Sequence, residues 1–310
     1  MIQLFNINNH IIDTSEFSNM LHDDIVIEYE KKIADYVGAK YACAINSATN
    51  AIFLIMKMEE YTKARVVKIP SMIPPVVANA IITSGNKVEF TDNVEWVGDS
   101  YILHEFRAYK VVDSAQKLEP NQFIKECKPN DLMIFSNYPT KPLGGVDGGV
   151  IVTDDYEKYK WFKQAVLNGT TFANNNWERG ISFPGYKFYM SSIQAKVIMN
   201  NFENFDKKMM SLGSLVDIYN KELGYKNTSK HLYRIEVLNN EKFIQKMKEA
   251  GIICGIHYPS LHNNPIYNDG KKYNCSKSEK LEKRTVSLPM NENLSFNETE
   301  YIIDKVKENI

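Results

Sequence analysis

At 310 residues the chain exceeds one average domain and suits one large domain plus a smaller one. Its 44% hydrophobic and 24% charged residues are ordinary for a globular enzyme. A formal net charge of −1, with no long block of one sign, argues against a nucleic-acid partner. Four scattered cysteines (Cys43, Cys127, Cys254, Cys275) form no CxxC pair and have no histidine cluster beside them. Neither a disulfide framework nor a metal site is expected, and reduced thiols in the cytoplasm are. The opening stretch MIQLFNINNHIID lacks a basic start followed by an apolar core, so no signal peptide is expected. The most apolar segment, 51–56, is far too short to span a membrane.

In chain order, Val26, Tyr29, Ile33, Tyr36 and Val37 share one helical face, and Gly38 stops the run. A short strand follows over 41–45. Asn46-Ser47-Ala48-Thr49-Asn50 then opens an apolar helix from 51 to 58. Small polar residues at a helix start leave outward N–H groups and hydroxyls, which suit either plain capping or an anion. Strand 65–69, a stiff turn over 70–75 and a helix over 76–84 come next. Strands are expected at 88–90, at 101–106 and at 111–112, the last leading straight into Asp113. Alternating strand and helix predicts an α/β architecture with a mostly parallel mixed sheet flanked by helices. In such sheets ligands bind beyond the carboxyl ends of strands, where Ser47, Asp113 and Ser136 all fall.

The most informative stretch is FSNYPTKPLGGVDGG, 135–149. It joins two apolar runs, 132–135 and 150–152, and carries a lone lysine, Lys141, between Pro139 and Pro142. Proline fixes φ and glycine permits close backbone approach, so this connection can hold one amine in one place. A hairpin whose lysine points at water is the alternative. Beyond it the pattern predicts a helix over 155–166, a polar loop over 168–180 and a long helix over 189–219. Strands at 232–237, 255–258 and 285–288, with helices over 241–250 and at the end, suggest a small C-terminal α+β domain. Ser295 and Glu298 make a capping box for the last helix. The boundary is expected within 205–225. That gives a large domain, 1–210, and a small one, 211–310, on which the N-terminal segment packs.

Six collinear segments resemble the DegT–StrS family of pyridoxal-phosphate (PLP) sugar aminotransferases, which have the type I aminotransferase fold. They are NSATNAI (46–52), PSMIPPVVANAIITSG (70–85), VVDSAQ (111–116), the Lys141 loop, GYKFYMSSIQA (185–195) and GIHYPSLHNNPIY (255–267). Together they cover most of the chain. The resemblance implies that Lys141 forms the internal aldimine and moves the proton, and that Asp113 pairs with the pyridine nitrogen. It also implies that Gln116 bonds the ring oxygen and that Ala48, Thr49 and Ser136 hold the phosphate. His257 and Tyr258 would lie on the substrate side or serve the small domain.

Three departures stand out. Pro74 occupies the place where the family usually stacks an aromatic on the cofactor ring. Lys187 stands where an asparagine commonly reaches the partner subunit's phosphate. The segment between Asp92 and Asp113 is much shorter than the family norm. The resemblance implies an amino-group transfer from an amino acid, with glutamate expected, to a nucleotide-linked keto-deoxysugar, in a homodimer with shared active sites. Lys141 argues against the dehydratase branch, which carries histidine there. A different acceptor (a cyclitol or a nucleoside) and a degenerate PLP- or sugar-binding sensor remain the other readings.

Overall fold

In the computed structural model of the protein, residues 1–8, 11–59, 64–171 and 180–310 are described. Most of the polar loop expected over 168–180, its residues 172–179, lies outside them. The first helix, α1 (Ile25–Val37), ends at Gly38 in the left-handed conformation, as its position predicts. Strand β1 (Tyr41–Ile45) leads into α2 (Ala48–Met58), so the helix starts within the NSATN segment rather than after it. Then come β2 (Val66–Pro70), α3 (Pro75–Thr83), β3 (Lys87–Thr91), β4 (Tyr101–Glu105) and β5 (Lys110–Asp113). A short α4 (Gln122–Glu126) precedes β6 (Leu132–Ser136) and β7 (Gly149–Thr153).

The mostly parallel sheet expected from the sequence does not form. The main sheet has five strands in the order β1-β7-β6-β5-β4, and only β5 and β6 in it run parallel. The pairs β1–β7, β6–β7 and β4–β5 are antiparallel. A second parallel pair, β2–β3, stands apart as a two-stranded sheet. The reason lies in the connections. A parallel neighbour needs a crossover, and α3 and α4 supply one between β2 and β3 and between β5 and β6. The segments 106–109 and 137–148 contain no helix, so β4 and β6 each return beside themselves.

Side-chain alternation along the sheet builds two apolar layers. Ala42, Ala44, Val112, Met133, Phe135, Val150 and Val152 face one layer. Cys43, Ile45, Val111, Leu132, Ile134 and Ile151 face the other, where α2, α3 and α5 (Tyr156–Ala165) pack. The period of 2 therefore carries Val111 to Asp113 and Ile134 to Ser136 on the second face. That face holds the site described below.

The long helix expected over 189–219 is two helices, α6 (Ser192–Glu203) and α7 (Phe205–Leu223), broken at Asn204. After α7 come β8 (Tyr233–Glu236), α8 (Asn240–Glu249), α9 (Pro265–Asn268), α10 (Ser276–Leu281), β9 (Thr285–Leu288) and α11 (Phe296–Asn309). The expected strand at 255–258 is absent, since only Gly255 bridges to Ser287. The first apolar layer continues from α6 and α7 into β8, β9, α8 and α11 without a break. At the N-terminus, Ile2 bridges to Ile252, and Leu4 accepts a hydrogen bond from the Met290 amide at 2.8 Å. Among the described residues no helix is long and apolar enough to cross a membrane.

Candidate active site

A cavity of about 400 Å³ opens beyond the carboxyl ends of β5 and β6. Its floor is the start of α2. Ser47, in extended conformation, caps that helix by accepting from the Asn50 amide at 3.2 Å. The first amides of a helix have no acceptor within it, and they carry the positive end of the helix dipole. Ser47, Ala48 and Thr49 line the cavity there, with Ser136 beside them.

The lysine loop is pinned at several points. Asn137 and Gly145 donate to Gly148 and Asn137 carbonyls, both at 2.9 Å, and the Lys141 amide donates to Tyr138 at 2.9 Å. The fully buried Asn137 side chain accepts from the Tyr29 hydroxyl at 2.8 Å and donates to the Leu143 carbonyl at 2.9 Å. Asn201 on α6 donates to the Gly144 carbonyl at 2.7 Å. So the connection is a fixed mount, and Lys141 lines the cavity. Burial pushes its amine down to about 8, and the negative charge of Asp113 opposes that shift.

Asp113 ends β5 and is buried. One carboxyl oxygen accepts from the Ala115 amide at 3.0 Å, the other from the Tyr101 hydroxyl at 2.9 Å. Burial raises its pKa above the ordinary value, while these two donors and Lys141 pull the other way. Gln116 is also buried, held through its oxygen by the Gly98 amide at 2.6 Å. Its amide nitrogen donates to the Tyr258 hydroxyl at 3.0 Å, leaving one N–H to spare.

The far wall comes from the C-terminal part of the chain. His257 contacts the Ser287 hydroxyl through Nδ1 at 2.9 Å, and burial, with Lys141 and Arg234 nearby, pushes it down to about 4. Burial holds the Tyr258 phenol protonated. Pro74, in the N-cap position of α3, lines the cavity as well. Lys187 does not; it is exposed and bridges to Leu167. The structure thus brings together Ala48, Thr49, Pro74, Asp113, Gln116, Ser136, Lys141, His257 and Tyr258.

Sequence reasoning missed Phe5, Trp96, Tyr138, Asp147 and His231, which also line the cavity. Phe5 stacks on His231, with ring centroids 5.2 Å apart, which puts the N-terminal segment in the wall. Tyr138 and Asp147 belong to the lysine loop itself, and Trp96 is the one tryptophan in the shortened segment, so each carried a local signal. Phe5 and His231 reach the cavity through long-range packing.

The donor set fits PLP. A buried amine pushed down to about 8 suits an aldehyde, a helix N-terminus suits a phosphate, and a buried carboxylate that has only neutral hydrogen-bond donors suits a protonated ring nitrogen. Fold and site together define a PLP-dependent enzyme of the type I aminotransferase fold. Residues 6–118 and 124–307 match the DegT/DnrJ/EryC1/StrS aminotransferase family, and the chain belongs to it. It is a PLP-dependent aminotransferase. A Campylobacter jejuni protein named UDP-4-amino-4,6-dideoxy-N-acetyl-beta-L-altrosamine transaminase is 24% identical over 96% of this chain and 94% of its own. The Bacillus subtilis spore coat polysaccharide biosynthesis protein SpsC is 23% identical over 91% of this chain and 89% of its own. Among solved structures, PseC of Helicobacter pylori superimposes with a TM-score of 0.81 at 16% identity, over 99% of each chain.

Proposed function

We propose that the protein moves an amino group from an amino acid, L-glutamate, to the keto carbon of a nucleotide-linked keto-deoxysugar. The observation that carries this reading is Lys141, a buried amine pushed down to about 8 in one cavity with the Asp113 carboxylate and the first turn of α2. The names of the Campylobacter jejuni and Bacillus subtilis relatives support a sugar acceptor. PLP, when bound, supplies the electron sink for such a transfer.

The chain's own residues then divide the work. Ala48 and Thr49 amides, with the Ser136 hydroxyl, bind the phosphate. Asp113 keeps the ring nitrogen protonated by placing a negative charge beside it. Gln116, with its spare N–H, would help hold the cofactor ring, as would the apolar surface of Pro74. The Lys141 Nζ would relay the proton off the donor's α-carbon and, in the reverse half, onto the acceptor's carbon, ending each half in the form in which it began. His257, kept neutral, and Tyr258, kept protonated, present hydrogen-bonding groups to the substrate. In the homodimer with shared sites that this reading includes, the exposed Lys187 would reach the partner's phosphate.

The test is a visible absorbance spectrum of the PLP-loaded, desalted protein before and after L-glutamate, followed by a UDP-linked 4-keto-6-deoxysugar. A yellow band that bleaches with glutamate and returns with the keto sugar is expected. A band that glutamate leaves unchanged rejects the donor, and a bleached band that the keto sugar does not restore rejects the acceptor.

A further inference from the structure

The shortened segment after β3 places two residues around Asp113 that the roles above do not use. Tyr101 sits directly opposite Asp113 in the antiparallel pairing of β4 and β5, so both side chains leave the sheet on the same face. That register brings the Tyr101 hydroxyl to 2.9 Å from one oxygen of the carboxylate. Both residues are buried, at 8% and 5% exposure, so the contact lies largely out of bulk solvent. The hydrogen bond has one direction only. Burial and the adjacent carboxylate keep the phenol protonated, so Tyr101 donates and Asp113 accepts.

The phenol is itself held. Trp96 packs on its ring with centroids 4.6 Å apart and lines the cavity on its other side. The indole also lies nearly parallel to Tyr258, at 10° and 6.0 Å, so it is wedged between two rings. Its buried N–H has no partner among the described residues. What the indole contributes to Tyr101 and Tyr258 is ring surface, not a hydrogen bond. Trp96 thus packs against the face of Tyr101 and restrains it beside Asp113.

We infer that Tyr101 is a positioning residue, buttressed by Trp96, that orients the Asp113 carboxylate and keeps it ionised toward the cofactor's ring nitrogen. This rests on the role of Asp113 proposed above. Loss of the donor leaves Asp113 with the Ala115 amide alone, and burial then favours its protonated form at higher pH. A protonated Asp113 carries no charge with which to hold a cationic ring. The defect therefore deepens as pH falls, which a packing defect does not reproduce.

The experiment compares wild type, Tyr101→Phe, Asp113→Asn and the double variant of the full chain. PLP affinity is measured by absorbance titration and the glutamate half-reaction by bleaching, each from about pH 6 to 9. Infrared difference spectra of the apo proteins report carboxyl protonation independently of activity. Tyr101→Phe is expected to weaken PLP and slow the half-reaction by roughly tenfold at the acid end and by little at the alkaline end. It is expected to add nothing in the Asp113→Asn background. Superimposable pH profiles for wild type and Tyr101→Phe overturn the inference while leaving Asp113 its role, provided Asp113→Asn is impaired. An unimpaired Asp113→Asn overturns the role itself. If Tyr101→Phe does not fold, Trp96→Phe, which leaves the hydroxyl in place, is expected to shift the same profile partway; no shift overturns the inference.

Discussion

A Cβ placed on Gly149, the first residue of β7, would stand 2.5 Å from the backbone nitrogen of Ala48, the first residue of α2. Strand and helix therefore meet backbone to backbone, at the amides proposed to hold the cofactor phosphate. The glycine serves close approach rather than a turn. Gly149→Ala must push the first turn of α2 aside, an overpacking effect of about 1–3 kcal/mol. PLP affinity is expected to fall by roughly tenfold or more, with a Tm several degrees lower. Absorbance titration and thermal melts check both, and an unchanged affinity would remove the phosphate from this helix start.

Lys141→Ala removes the amine while the mount built from Asn137, Gly145 and Tyr138 stays hydrogen-bonded through backbone and through the Asn137 side chain. The variant is expected to fold, to release PLP on desalting, and to lose turnover by several orders of magnitude. Circular dichroism checks the fold, and retained turnover would eliminate the lysine mechanism.

Capture of PLP by the apo protein should depend on pH through the same amine. Only its neutral form attacks the aldehyde, and burial lowers its pKa from 10.5 to about 8. The capture rate is thus expected to climb with pH to a midpoint near 8 rather than near the ordinary lysine value. The Asp113 charge opposes that lowering, so Asp113→Asn should move the midpoint lower still. Stopped-flow absorbance gives both midpoints. A wild-type midpoint at the ordinary value would show the amine to be solvated.

The residues legible in the sequence were those whose chemistry is local. A lysine between two prolines, an aspartate at a strand end and a capped helix start each announce themselves within about ten residues. Strand direction was not legible, because it depends on what joins two strands. Nothing in 132–135 or 150–152 says that β7 inserts between β1 and β6. The wall of the cavity was hidden for the same reason. Phe5 reaches it only because the N-terminal segment lies against Ile252 and Met290, contacts that span most of the chain. Asn137, which fixes the lysine loop, is fully buried, and nothing in the residues around it distinguishes it from an exposed polar loop residue.

His257 gives the site an acid limit that can be measured without cofactor. Burial lowers its pKa from 6.5 to about 4, so between those values the unfolded chain binds more protons than the native one. Stability conferred by the neutral ring is present above the unfolded value and is lost as pH falls through that window. The total is of the order of 3 kcal/mol by linkage. His231, buried and shifted in the same direction, adds its own slope, which outlasts a change at 257 because burial is its largest cause and the charge of His257 a smaller one. His257→Gln, which keeps a hydrogen-bonding group beside Ser287, should therefore flatten the acid limb of the apo protein's stability without abolishing it. Urea midpoints taken across the window decide the matter. Parallel curves for variant and wild type would mean that His257 titrates alike in both states and is not held neutral by the fold.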